Sequence, residues 1–247
     1  MSVDVEKSNA STDEGWWEIF KIVFHAILLA IIVRIFIIQP FNIPSGSMQG
    51  NLLVGDYLFV SKFSYGYSKY TFMGDLFSGR ILASKPERGD VVVFKLPKDP
   101  TQDYIKRVIG LPGDKVQMIG GILHINGNPI PKKRDGQFVE DLRATPVARF
   151  RETLPNGVSY LSLDSNPHNG RAYTDNTDVY TVPEGHYFMM GDNRDNSSDS
   201  RDPSVSFVPF ENFVGKAQMI FFSKGEATDP TTGLFNIRWA RLFKIVR

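Results

Sequence analysis

The chain has 247 residues, 42% of them hydrophobic and 22% charged, with a net charge of +1. That is an ordinary globular balance, enough for one sizeable core or two small ones, and it lacks the basic excess that a nucleic-acid partner demands. There is no cysteine, which excludes a disulfide framework, thiolate zinc sites and a cysteine nucleophile.

Residues 1 to 18 are polar and acidic, with Asp4, Glu6, Asp13, Glu14 and Glu18 against Lys7, a composition that predicts a disordered tail. From Ile19 to Ile38 the chain is almost continuously apolar. A helix of about 20 residues, rising about 1.5 Å at each, covers the ~30 Å of a bilayer core. Trp16 and Trp17 stand where an interfacial aromatic belt would, Lys21 and Arg34 can snorkel from the ends, and His25 is neutral or faces a partner. A cleaved leader fits poorly, because the preceding residues are acidic and Gln39-Pro40-Phe41 offers no small-residue cleavage site. Lys7 and Lys21 lie before or early in the run, and after Arg34 no basic residue follows until Lys62, which predicts an N-terminus inside and residues 39–247 outside.

The outer part is rich in short apolar runs separated by Gly, Pro, Asn and Asp, the pattern of a mainly antiparallel β domain. Strands are predicted at Tyr57–Lys62, Asp90–Phe94, Tyr104–Ile109, Lys115–Ile119, Ile122–Ile125, Val158–Leu163, Val179–Val182, Tyr187–Met190 and Val214–Phe222. Asn126-Gly127 is a tight-turn signal that closes a hairpin towards Pro129 and Ile130. The polar stretch 131–177 interrupts this pattern and is expected to be a small inserted cap. At the C-terminus, Arg238, Arg241 and Lys244 lie at helical spacing, with Trp239, Leu242, Phe243 and Val246 on another face. That segment reads either as an interfacial element offering cations to anionic lipid or as a terminal element packed on the core.

Chemistry concentrates in three stretches. In Phe41-Asn42-Ile43-Pro44-Ser45-Gly46-Ser47-Met48, Pro44 biases the approach towards extended backbone and Gly46 permits a sharp bend, which presents Ser47 as a nucleophile close to the apolar run. A serine needs a base, and neither a G-x-S-x-G elbow nor an S-x-x-K motif is present. In Asp103–Asp114, Lys106 interrupts a strand among Tyr104, Ile105, Val108 and Ile109; a buried ammonium loses its proton easily, whereas an edge lysine would only snorkel. Gly191–Asp202 packs turn formers and hydrogen-bonding side chains directly after an apolar strand. As a calcium loop starting at Asp195 it fails, because Ser200 and Ser206 occupy the positions of the required glycine and glutamate.

Together these stretches, with Leu53–Lys62 and Arg88–Phe94, resemble the bacterial type I signal peptidases in content and order. The resemblance implies a single N-terminal transmembrane helix (19–38), an antiparallel β-rich catalytic domain (39–247) and a Ser/Lys dyad without cofactor or metal. By position Ser47 would be the nucleophile and Lys106 the general base. Ser45 would supply an oxyanion donor, Ser197 would orient the Lys106 amine, and Asp199 and Arg201 would form a supporting ion pair. Phe41, Ile43, Tyr104 and Ile105 would surround shallow pockets for the small residues of a signal-peptide cleavage site. The implied partners are preprotein signal peptides, the lipid bilayer and the secretion machinery, with no nucleic acid. The implied location is the bacterial inner (cytoplasmic) membrane, single-pass, with the N-terminus cytoplasmic and the catalytic domain on the outer, periplasmic face.

The family usually follows Ser-Met with any residue and then Pro-Thr-Leu, whereas Gln49 is followed here by Gly50-Asn51-Leu52. Replacing a proline by glycine predicts a less preorganised loop. A rival reading is therefore a catalytically impaired, single-span envelope binding or scaffold protein on the same fold. The joint presence of Ser45, Ser47, Lys106 and Ser197 favours the enzyme, since a scaffold has no need of that set.

Overall fold

The computed structural model describes residues 8–71, 79–139, 145–165, 172–228 and 235–246, and in it the apolar run is a helix, α1 (Ser8–Phe36). Its Gly15–Phe36 segment has a mean hydropathy of 2.4, is long enough to cross a membrane and, among the described residues, meets the β domain at its C-terminal end, where Phe36 lies edge-on to the Tyr67 ring. The helix starts within the expected tail, since adding turns to a nucleated helix costs little. It also stops short of Ile38, which pairs with Ser61 as the first residue of a strand. Gln39-Pro40 explains the stop, because proline disfavours helix in the residue before it. The freed end is held by side chains of the β domain: Lys62 Nζ donates to the Ile35 carbonyl (3.4 Å) and the Tyr67 hydroxyl to that of Phe36 (2.6 Å).

The longer strands, in chain order, are β1 (Ile38–Asn42), β2 (Asp56–Ser61), β3 (Val91–Leu96), β4 (Asp99–Gly110), β5 (Lys115–Ile119), β6 (Ile122–Ile125), β7 (Lys132–Phe138), β8 (Val147–Thr153), β9 (Ser159–Asp164), β10 (His186–Met190) and β11 (Phe213–Thr228). The main sheet runs β1-β2-β11-β3-β4-β10 and ends on the short pair Val208–Pro209, with every pairing antiparallel. The run Val91-Val92-Val93-Phe94 is apolar without alternation because β3 is buried on both faces. Val91 and Val93 join one core with Ile43, Met48, Leu52 and Ile105, while Val92 and Phe94 join another with Val108, Met189 and Phe213. Asn126 (φ 54°) and Gly127 (φ 80°) form the tight turn expected of Asn-Gly, and Ile125 pairs with Asn128 across it.

Within the expected 131–177 insertion, where the sequence predicts a strand only at Val158–Leu163, three strands form a sheet of their own, β7-β8-β9. Its outer strand, Lys-Lys-Arg-Asp-Gly-Gln-Phe, is exposed along most of its length and so shows no apolar period to read. Lys132 and Arg134 lie over the Phe150 ring, which holds that strand to β8. Residues 140–144 and 166–171 of the expected cap lie outside the described residues.

Of the C-terminal cations, Arg238 and Arg241 turn inward, while Lys244 stays exposed. Arg241 pairs with the fully buried Asp56, and Arg238 donates to the carbonyls of Val54 and Lys224. Lys244 is held below the usual lysine range, by burial first and by Arg241 second. Trp239, Phe243 and Ile245 are exposed beside Lys244, whereas Val246 packs on the core, so the segment shows both apolar and charged groups outward.

Candidate active site

Ser47 lies in a single 3-10 turn, Gly46–Met48, that leaves β1 through Pro44 and the extended Ser45 (φ −130°, ψ 156°). Met48 and Leu52, both at most 1% exposed, nail the turn into the core. From the other side the Asn193 backbone N–H donates to the Ser47 carbonyl (3.1 Å), and its side-chain amide to the Gly46 carbonyl (3.1 Å) and Gln49 Oε1 (3.0 Å). The Gln49 amide fills the space beneath Gly46, where a Cβ would come within 2.8 Å of it. A larger residue there would have to displace the Gln49 amide from Asn193.

Lys106 sits on β4 opposite Val92 of β3 and reaches the same turn. Its Nζ lies 2.8 Å from Ser47 Oγ and donates to the Ile105 carbonyl at 3.0 Å. Burial, with 4% of the residue exposed, drives the amine down from 10.5 to about 8, and the carboxylates of Asp199 and Asp192 pull it partly back up. Strand alternation sends Arg107 to the opposite face, where its guanidinium makes a two-pronged pair with Asp192 (2.8 and 2.7 Å). Burial therefore does the lowering, as the apolar neighbours of Lys106 in the sequence predict.

Asp199 and Arg201 form the expected pair, again two-pronged at 2.9 Å, and both are buried. Burial alone would raise the Asp199 carboxyl, but Arg201 and the Gly191 N–H outweigh it and hold the group below the usual carboxylate range. Ser197 is brought against Gly191, where a Cβ would fall 2.2 Å from its hydroxyl, but it is not hydrogen-bonded to Lys106. The amine takes its second partner from the Ile105 carbonyl instead. Ser45 is exposed, and its hydroxyl does not cap the turn.

A cavity of about 360 Å³ opens beside the Ser47–Lys106 contact, walled by Pro44–Ser47 on one side, Asp103–Lys106 on the other, and Asn196 and Ser198. Tyr104 and Ile105 line it as expected. Phe41 and Ile43 do not: Ile43, 3% exposed, points into the core with Met48 and Leu52, and Phe41 packs on the same cluster. The chain still continues the alternation of β1 at Ile43, so that side chain faces the core before Pro44 turns the backbone away. Asp192 and Asn193 carry no individual signal in the sequence. The dense polar composition of the 191–202 loop was their signal, without saying which side chain meets which.

The loop departure has a structural explanation. Gly50 adopts φ 103°, a left-handed conformation closed to proline, which is fixed near about −65°. The path is thus different from one that proline would stiffen, and Asn51 anchors it through bonds to Leu161 and Asp192. Gly50→Pro is expected to destabilise the fold by about 3 kcal/mol, roughly 6–12 °C in Tm, with loss of activity. An unchanged thermal melt would show that the loop accepts the proline path.

A serine hydroxyl against a buried amine, beside a cleft sized for a few small residues and behind a membrane-length helix, defines a serine endopeptidase. Residues 16–222 match the family model described as signal peptidase, peptidase S26. A signal peptidase I of Rickettsia conorii is 47% identical over 246 residues, spanning 96% of this chain and 91% of that relative. Another, of Rickettsia typhi, is 43% identical over 260 residues and 97% of each chain. A solved signal peptidase I of Enterococcus faecalis shares 29% identity over 54% of this chain and 97% of that one, with a TM-score of 0.32. The chain belongs to the signal peptidase family, peptidase S26, as a signal peptidase I. That membership sets aside the scaffold reading.

Proposed function

We propose that the cleavage of signal peptides from secreted preproteins is carried out here by Ser47 as nucleophile and Lys106 as general base. The observation that carries this reading is the 2.8 Å contact between Ser47 Oγ and an amine whose burial lowers it to about 8. As a free amine, Lys106 accepts the Ser47 proton while Oγ adds to the scissile carbonyl. It then passes that proton to the departing amine, leaving an acyl ester on Ser47. Water, deprotonated by the same amine, releases the acid and restores the serine.

The substrate edge follows from the sheet. On one side β4 pairs with β3 from Asp99 to Arg107, whereas on the other β10 reaches only Arg107. Along Asp103–Lys106 that second edge is open towards the cavity, so an extended peptide can add to it as a strand, with alternate side chains against Tyr104 and Ile105. Ser45, exposed at the head of the turn, supplies an oxyanion donor beside the Ser47 N–H. With purified enzyme and a preprotein, Ser45→Ala is expected to lower kcat by about 100- to 1000-fold and leave the cleavage site unchanged. An unaltered kcat would remove Ser45 from the oxyanion hole.

The α1 helix anchors this site in the bilayer that delivers the substrate's own apolar segment, and a shared membrane raises the effective concentration of each for the other. The placement of basic residues supports a cytoplasmic N-terminus and an outer catalytic domain. The closeness of β1 to the end of α1, with Ile38 already in the sheet, keeps Ser47 near the membrane surface.

A further inference from the structure

We propose that Asn51 is a positioning residue that sets the distance between the nucleophile and the base. Its side-chain amide carries two N–H bonds, and both are used: Nδ2 donates to the Leu161 carbonyl of β9 (2.6 Å) and to Asp192 Oδ2 (2.7 Å). Asp192, 1% exposed, is the hub. Its oxygens also receive Arg107 Nε and Nη2, and Arg107 directly follows Lys106 on β4. The next residue, Asn193, donates its backbone N–H to the Ser47 carbonyl. A closed circuit therefore runs from the nucleophile turn through Asn51 to Asp192, across Arg107 to the base strand, and back through Lys106 to Ser47. Arg241 secures the start of it by donating to the Asn51 carbonyl (2.9 Å).

This circuit changes the meaning of Gly50-Asn51. The family's usual proline stiffens the backbone, and its threonine offers a single hydroxyl donor. Here Gly50 adopts a path that proline cannot follow, and the stiffness returns as a second side-chain bond that only a two-proton amide makes. The anchored loop also reaches β9 of the outer sheet. Leu163 N–H donates to the Asp192 carbonyl and Arg194 N–H to that of Leu163, so β9 holds the Asp192 hub as well. The sheet formed by the 131–177 insertion is thereby a buttress of the dyad.

The inference rests on Ser47 and Lys106 as nucleophile and base, and the test separates the two claims. Asn51→Leu keeps the approximate shape without a donor, and Asn51→Thr keeps one donor in place of two. Steady-state cleavage of a preprotein, normalised to the folded fraction from circular dichroism, gives kcat and KM for both alongside Ser47→Ala. The expected result is a kcat lower by about 100-fold for leucine and about 10-fold for threonine, with KM within about twofold, since a displacement on the order of 1 Å disturbs attack geometry more than binding. A purely structural role lowers the folded fraction and leaves normalised kcat alone. Wild-type kcat in Asn51→Thr, or a loss confined to KM, overturns the inference, and the threonine variant decides if the leucine variant does not fold. Activity retained in Ser47→Ala would instead overturn the dyad itself.

Discussion

Ser47→Ala is expected to lower kcat on a preprotein by roughly 10⁶-fold, to the residual level that substrate binding and an oxyanion site supply without a nucleophile. The fold should hardly notice. The substitution removes one oxygen from a turn that Met48, Leu52 and Asn193 hold independently, and deletes one hydrogen bond, to Lys106. Such a bond contributes about 1 kcal/mol, so Tm should move by no more than about 2–4 °C. Lys106 then loses its hydroxyl partner but keeps the Ile105 carbonyl. Measured by product release with the thermal melt as control, cleavage at the wild-type rate would remove Ser47 from the reaction.

How much of this was legible before the coordinates depends on the range of the interaction. The nine predicted strands all have counterparts, because each carries its signal locally: an unbroken apolar run in Val91–Phe94, a turn dipeptide at Asn126-Gly127, an alternation in Lys115–Ile119. Lys106 was legible for the same reason, as a charge inside an apolar strand. Illegible were the contacts that join distant segments. Asn51 meets Asp192 across 141 positions and Leu161 across 110, and although Gly50-Asn51 stands out as a departure from Pro-Thr, nothing nearby in the chain names those partners. Of the β7-β8-β9 sheet only β9 is foreshadowed, by Val158–Leu163; β7 is exposed along most of its length and has no buried face to impose a period, and ion pairs within the sheet, such as Lys132 with Asp164, are long-range. Which of the proposed pocket residues wall the cavity was likewise not legible: Tyr104 and Ile105 line it, whereas Phe41 and Ile43 pack on the core cluster beside Met48, a matter of facing that the resemblance does not encode.

The pH dependence of the reaction should follow Lys106. Its amine is lowered from 10.5 to about 8 by burial, so at pH 7 about one tenth of the folded enzyme carries the free base, against less than about one part in a thousand for an unperturbed lysine. Activity is therefore expected to climb with pH on a single-proton limb with its midpoint near 8. Stability moves in the same direction over a higher window. Between about 8 and 10.5 the unfolded chain binds the Lys106 proton and the folded chain does not, so this group's contribution to folding rises with pH there. Below 8 both states are protonated and its cost is constant. Lys106→Met should keep the strand and abolish the limb, with kcat lower by on the order of 10³- to 10⁴-fold. Lys106→Arg should be as inactive, because a guanidinium does not give up its proton in this range and its fork does not fit a site shaped for one nitrogen between Ser47 Oγ and the Ile105 carbonyl. A deeper substrate that excludes more water from Tyr104 and Ile105 should move the limb of kcat below that of kcat/KM, since further burial again disfavours the ammonium. An arginine variant with substantial activity, or a profile flat between pH 6 and 10, would return Lys106 to the role of a strand residue.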